Sequence, residues 1–198
     1  MRVSRAQAEE NRRVVIEKAG QLFRERGFDG VGLNDLMGAA GLTQGGFYKQ
    51  FRSKEDLAVQ ACDRVMADSK AHLTQVVESG TEDPLAEIVS QYLSRRHRDM
   101  PGGGCIFASL GADAARGSPE LIRSFEAGIR GYLEILEHAA QTSPVHGPPQ
   151  DPAVMLSTMV GALVLSRLVA DTTLSDRILD TAIGSLLDRR GSADPEVR

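Results

Sequence analysis

Eleven residues, Gly41–Phe51 (GLTQGGFYKQF), constrain this chain more than any other stretch. The run before them, Leu33–Ala40, is short and apolar-periodic, with Leu36, Met37 and Ala40 at i, i+1 and i+4. Gly41 suits the left-handed conformation that ends a helix. Leu42 is the apolar plug of a turn. Thr43 is placed to cap the next helix, because its hydroxyl can accept one of the orphan N–H groups of that helix's first turn. Gln44–Gln50 then reads as a two-turn helix. Phe47 and Phe51, at i and i+4, share one face, while Gln44, Tyr48 and Lys49 point elsewhere. A buried aromatic pair under a polar, aromatic and basic face describes a helix-turn-helix. Its second helix docks on a small core and enters a DNA major groove.

The flanking residues complete a three-helix head. Glu9–Arg26 is periodic, with Val15, Ala19, Leu22 and Phe23 on the core-facing stripe and Ile16 widening it. Gly27 stops that helix and Phe28 folds back on the core. Met1–Ala8 reads as a flexible start, in which Arg2 and Arg5 form either an arm toward DNA or a solvated tail. After the head, Ser53 caps a long helix from Lys54 to about Glu78, with Asp56 three residues on. The first N–H groups of that helix and Lys54 together suit a phosphate.

These residues carry a family resemblance. Leu33–Leu57, LNDLMGAAGLTQGGFYKQFRSKEDL, resembles the DNA-binding signature of the TetR/AcrR family of one-component bacterial regulators. The matching pieces are AAGLT, FYKQF and SKEDL, preceded by RRVVIEKAGQLFRERGFDG, which is similar to the family's first helix. The likeness covers about residues 10–60. Two positions depart from it. Gly32 stands where the family usually has a capping Ser or Thr, and Gly46 where a small hydroxyl residue or Ala is common. Gln44 is expected to read bases, through an amide that can pair with adenine. Lys49 meets guanine or a phosphate. The resemblance implies phosphate contacts by Thr43, Tyr48 and Lys54, with Gly45 in the same interface; such contacts position the head without specifying sequence.

Charge divides as a DNA binder requires. Residues 1–54 hold ten Lys/Arg and six Asp/Glu, a surplus of +4, which leaves −8 on the remainder of a chain whose net charge is −4. The basic end concentrates attraction for phosphate. No apolar run approaches the ~18 residues of a membrane span, and the polar start lacks a secretory core, so the expected location is the cytoplasm. The two Cys, at 62 and 105, lie far apart and are read as thiols of a reducing compartment. Signatures of a serine hydrolase, a phosphate-binding loop or a zinc protease are missing, and His72, His97, His138 and His146 lack metal-ligand spacing. The expectation is a non-enzyme without cofactor or metal.

The remainder reads as helices: Pro84 to about Arg98, Cys105–Ala115, Pro119–Thr142, then a Pro-rich linker at residues 143–150. Asp151 and Pro152 open a helix to about Asp171, and Ser175–Arg189 is the last. The fold class is all-α: a head at residues 1–53 and a helical ligand-binding and dimerisation body at 54–198, with a tail from about 190. Met155–Val169 is apolar on nearly every face, and Leu174–Leu187 carries a wide stripe, so both must be covered on several sides. Either a two-fold four-helix interface or the core of the monomer covers them; the first is expected, with Met155, Met159, Leu163, Leu179, Ile183 and Leu186 as its contacts. The resemblance implies the same homodimer, a double-stranded operator and a small-molecule effector. The larger side chains of the middle helices, Tyr92, Phe107, Phe125, Tyr132, Met159 and Leu163, are the candidates for an apolar pocket. The cluster Arg95, Arg96, His97 and Arg98 is either a solvated helix end or an anion site. Cys105 follows three glycines and opens a helix. That favours thiolate and gives an alternative reading, a redox or electrophile sensor; otherwise Cys105 is a small buried hydrophobe.

Overall fold

A computed structural model describes residues 4–144 and 150–187, and among these every regular element is helical. In chain order they are α1 (Arg5–Arg26), α2 (Leu33–Ala39), a 3₁₀ segment (Gln44–Lys49) and α3 (Lys54–Glu78). Beyond α3 come α4 (Pro84–Tyr92), α5 (Arg95–Asp99), a 3₁₀ turn (Pro101–Gly103), α6 (Ile106–Ala114), α7 (Pro119–Thr142), α8 (Pro152–Leu168) and α9 (Thr172–Leu187). The all-α fold class is as expected.

Local chemistry explains most boundaries. Gly27 and Gly41 take φ of 74° and 70°, the left-handed stop anticipated at both positions. Asp83 accepts from the Ala86 N–H, with Pro84 opening α4, and Asp151 accepts from the Ala153 N–H, with Pro152 opening α8. Several boundaries differ from expectation, among them the end of α8 at Leu168 instead of about Asp171. The chain is helical from Arg5, because the Ser4 hydroxyl accepts from the Gln7 N–H at 3.2 Å; Arg5 pairs with Glu9, and Arg2 lies outside the described residues. The helix from Pro84 ends at Tyr92 instead of Arg98. Ser94 starts a new turn there by accepting from the His97 N–H at 3.2 Å. Cys105 is the cap residue before α6 and not its first residue. Asp171 accepts from the N–H groups of Thr173 and Leu174, so α9 begins three residues before Ser175. The expected linker centre, residues 145–149, and the tail lie outside the described residues.

The chain divides into two compact units. The first comprises Met1–Ser69 and Met100–Ile129. Its core joins Val15, Ala19 and Phe23 of α1 to Leu36 and Met37 of α2, Phe47 and Phe51, Leu57 and Ala61 of α3, and Leu110 of α6. α1 and α3 cross closely at Gly20, where an added Cβ would stand 2.8 Å from Val65 Cγ2. The second unit comprises Lys70–Asp99 and Arg130–Arg198. α8 and α9 pack along each other in it. The Ser175 hydroxyl donates to the Ser166 carbonyl at 2.7 Å, and that of Ser166 to Leu163 at 2.9 Å, so both buried hydroxyls are satisfied.

Two arginines of the basic cluster are paired with acids of α9, while Arg96 stays exposed at the helix end. Arg95 donates twice to Asp180, both at 2.7 Å, and Arg98 donates to Asp176 at 2.6 Å and to Ser175 at 2.9 Å. α5 is thereby fastened to α9 through charge-assisted bonds.

Cys62 on α3 is 1% exposed, and burial pushes its thiol from 9.0 up to about 12, with Asp63 adding to the shift. A thiol that ionises later folded than unfolded contributes nothing pH-dependent below its unfolded value and costs stability above it. The expected result is a loss of stability between pH 9 and 12 with a Cys62 component approaching about 1.4 kcal/mol per pH unit. Urea melts of the parent and Cys62→Ala across that window measure it: the two should run parallel below pH 9 and converge above.

Candidate nucleic-acid interface

The helix-turn-helix is built around a turn closed by main-chain bonds. The Leu42 N–H donates to the Met37 carbonyl at 2.9 Å, which sets Leu42 beneath α2. Thr43 is extended, with φ −89° and ψ 148°, but its hydroxyl makes no capping bond, contrary to the sequence reading. The next six residues wind as a 3₁₀ helix and not as two α-turns. The tighter winding brings residues i and i+3 into line, so the cap geometry of an α-helix start is not reached. The Thr43 hydroxyl is left on an exposed residue.

Within this segment the side chains separate sharply. Phe47 is 0% exposed and Phe51 2%, with ring centroids 5.4 Å apart. Tyr48 is 71% exposed and braced by an edge-on contact with Phe47 at 5.2 Å. Gln44, Gly45 and Lys49 are exposed as well. The interior requires neither glycine: an added Cβ at Gly45 meets nothing within 4 Å, and one at Gly46 meets only Met37 Cε at 3.6 Å. Both positions leave room for a partner's backbone.

The start of α3 is a second polar edge. The Ser53 hydroxyl accepts from the Asp56 N–H at 3.0 Å, and Asp56 accepts from the Arg52 N–H at 3.0 Å. This is the acidic capping arrangement expected from sequence, displaced by one residue on its return arm. Lys54, half-buried, sits in that first turn. Gly32 cannot offer a capping side chain, but its N–H donates to Asp35 at 3.1 Å, which keeps one half of a capping box.

Sequence reasoning missed Arg12. Its guanidinium lies 5.3 Å from the centre of the Phe51 ring and donates to Gln60, which donates in turn to Asp56 at 3.0 Å. α1 thus supports the exposed segment from behind. The Asp56–Gln60 pair is legible as i, i+4, but the reach of Arg12 across the head is not.

Residues 15–61, which carry this geometry, match the family model described as "Bacterial regulatory proteins, tetR family". The HTH-type transcriptional repressor NemR of Escherichia coli (strain K12) is 29% identical over 135 residues, covering 67% of this chain and 68% of its own length. The structure of Escherichia coli NemR in its reduced form superposes with a TM-score of 0.74 at 26% identity, covering 89% of this chain and 95% of that one. Residues 15–61 are thus a TetR-family DNA-binding domain, and the fold around them is that of TetR-family regulators. The repressor DhaR of Mycobacterium sp. (strain GP1) is similar over a longer span, 22% identical over 183 residues, 89% of this chain and 92% of DhaR. A chain with this DNA-binding domain is a transcriptional regulator and not an enzyme. No helix among the described residues is long and apolar enough to cross a membrane.

The residues expected to form a ligand pocket fall in both units. Cys105, Phe107 and Phe125 belong to the first, where the two Phe rings meet edge-on at 5.9 Å. Tyr92, Tyr132, Met159 and Leu163 are buried in the second. The expected dimer contacts need correction. Met155, Met159, Leu163, Leu179 and Leu186 are at most 3% exposed within the single chain, because they fill its own interior. Ile183 is half-buried. The open face of α8 and α9 is a groove lined by Gly161, Leu165, Leu174, Ile178, Thr181 and Ser185.

The interface is expected to be largely decoupled from stability. Tyr48→Ala and Lys49→Ala should shift unfolding by no more than about 0.5 kcal/mol, as exposed substitutions do, whereas Phe47→Ala should cost about 3–5 kcal/mol. Urea denaturation followed by circular dichroism gives all three values.

Proposed function

We propose that this TetR-family regulator is a homodimeric cytoplasmic repressor that leaves its operator when a small apolar molecule binds its helical body. The observation that carries the reading is the exposure of Tyr48 and Lys49 on a segment whose other aromatics are fully buried. An exposed aromatic beside a cation, on the basic end of an acidic protein, fits a phosphate-lined groove. The division of labour is a DNA-binding part at residues 1–53 and a ligand-binding and dimerisation part at 54–198. Gln44 reads bases; Thr43, Gly45, Tyr48 and Lys54 hold the backbone; Lys49 meets guanine or phosphate. NemR and DhaR, both named as repressors, support the sign of regulation.

A second copy covers the open face of α8 and α9. Leu165 and Leu168 stand 54% and 74% exposed there. Gly161 and Gly184 have nothing within 4 Å of an added Cβ, so helices can approach closely. Two heads on a two-fold axis then match a two-fold operator. The effector enters an apolar site that uses some of Tyr92, Phe107, Phe125, Tyr132, Met159 and Leu163. In a two-state account it must bind the released form better than the DNA-bound form.

A second reading assigns the response to the Cys105 thiol. It rests on the placement of Cys105 as the cap residue of α6; the side chain is buried, at 4% exposed, as is that of Cys62. Replacing Cys105 by Ser separates the two. A ligand-gated repressor keeps its response, and a thiol sensor loses its response to oxidant.

Fluorescence anisotropy with the DNA upstream of its own gene tests the main reading. Binding should saturate at two protomers per site and resist random competitor. Tyr48→Ala should weaken it about tenfold, the loss of one charge-assisted hydrogen bond, and Lys49→Ala should lower the salt slope by about one if Lys49 holds a phosphate. Leu165→Glu should give a folded monomer in sedimentation with operator binding lost. Weak, sequence-blind binding by the parent protein to genomic fragments would end this reading.

A further inference from the structure

Asp56 is an acid in a place where an anion is to be received. It stands in the first turn of α3, close to Lys54 and to the N–H groups of Lys54 and Glu55, which have no helical acceptors. An uncompensated carboxylate there would repel a phosphate. Both of its oxygens are engaged. Oδ2 accepts from the Arg52 N–H at 3.0 Å and Oδ1 from the Gln60 side-chain amide at 3.0 Å, while the Asp56 N–H donates to the Ser53 hydroxyl at 3.0 Å. The acid thus ties down the turn at residues 52–54, which leads into Lys54.

The line of bonds continues past Gln60. Its Nε2 is given to Asp56, and its Oε1 accepts from Nη2 of Arg12. Only one orientation of the amide serves both neighbours, because a guanidinium can only donate and a carboxylate can only accept. Arg12 is itself held, 5.3 Å from the centre of the Phe51 ring, which is 2% exposed. All of these residues belong to the first unit. An unbroken series of hydrogen bonds therefore runs from α1 to the Arg52 N–H. It has a permanent positive charge at one end and the carboxylate near the other. An amide polarised from both sides strengthens each link of such a series.

We propose that Arg12 and Gln60 are positioning residues for DNA binding: through Asp56 they hold the turn that carries Lys54 and offset the carboxylate charge beside it. Neither is required to touch DNA. Their role rests on the assignment of Lys54 to the DNA backbone made above. Phosphate contacts carry no sequence information, so this relay sets how tightly any duplex is held and not which one is chosen.

Two measurements on the full-length protein test it, with the parent, Arg12→Met, Gln60→Met, Lys54→Ala and the pairs Arg12→Met/Gln60→Met and Gln60→Met/Lys54→Ala. The first is amide exchange of Arg52 by nuclear magnetic resonance, without DNA. Arg12→Met and Gln60→Met should each speed it about threefold, the weakening of one hydrogen bond, and the pair no further. The second is fluorescence anisotropy on an operator fragment and on random duplex. Gln60→Met removes no charge, yet it should weaken both duplexes by the same factor, about tenfold, and add little to Lys54→Ala. The relay is overturned if Gln60→Met leaves both affinities unchanged, if it weakens Lys54→Ala as much as the parent, or if Arg52 exchanges at the parent rate in both single variants. Should Arg12→Met fail to fold, Gln60→Met, similar in volume to the parent residue, carries both measurements alone. A parent that selects no operator sinks the repressor reading and leaves the relay testable, because random duplex reports the same loss.

Discussion

Burial of Phe47 is the interaction on which the DNA-facing surface depends. A six-residue 3₁₀ segment is far too short to persist by its own hydrogen bonds. Complete burial of one Phe side chain contributes about 1.5–3 kcal/mol by area, and Phe51 adds a second anchor four residues on. With both rings inward, rotation about the segment axis is fixed, and Tyr48 and Lys49 have no option but to face outward. Arg12 stiffens the arrangement from behind by lying on the Phe51 ring and bonding to Gln60. The chemistry offered to DNA is therefore set by side chains that never touch it.

Much of this was legible because the relevant signals are local. Gly27, Gly41, Asp83–Pro84 and Asp151–Pro152 act on their own turn of chain, and each boundary they announce is present. The pairing of Phe47 with Phe51 is also local, and it survives the change from α to 3₁₀ winding since both rings still reach the core. The Thr43 cap failed for a related reason: capping needs an α-helical first turn to supply the N–H groups, and the 3₁₀ start does not present them. Ser94 carried a cap signal of its own, masked by the periodicity running through it from Pro84 to Arg98.

Long-range features were illegible where periodicity gives no direction. α8 is apolar all round, so its sequence shows that several faces are covered but not which one faces inward. In the folded chain Met155, Met159 and Leu163 turn inward, and the face left open is Gly161 and Leu165 instead. The basic run at 95–98 posed the same problem in electrostatic form. A cluster of cations in sequence says nothing about counter-charges eighty residues away, and Asp176 and Asp180 close two of its arginines. The strongest basic run of the body is thus spent internally, while the +4 surplus of residues 1–54 remains a property of the head.

The magnitudes also say where a switch can act. Unpacking Phe47 would cost several kcal/mol and destroy the DNA-facing surface altogether. A charge-assisted bond to a carbonyl contributes about 1.5–3 kcal/mol, the same range as the ~1–3 kcal/mol that couples two ligand sites in typical allosteric proteins. Contacts of that strength, such as Arg24 on Gly102 in the first unit and Arg167 on His97 and Arg98 in the second, can break while each unit's core stays intact. A change confined to contacts of that strength leaves the Phe47 core folded. That is the condition for a reversible response.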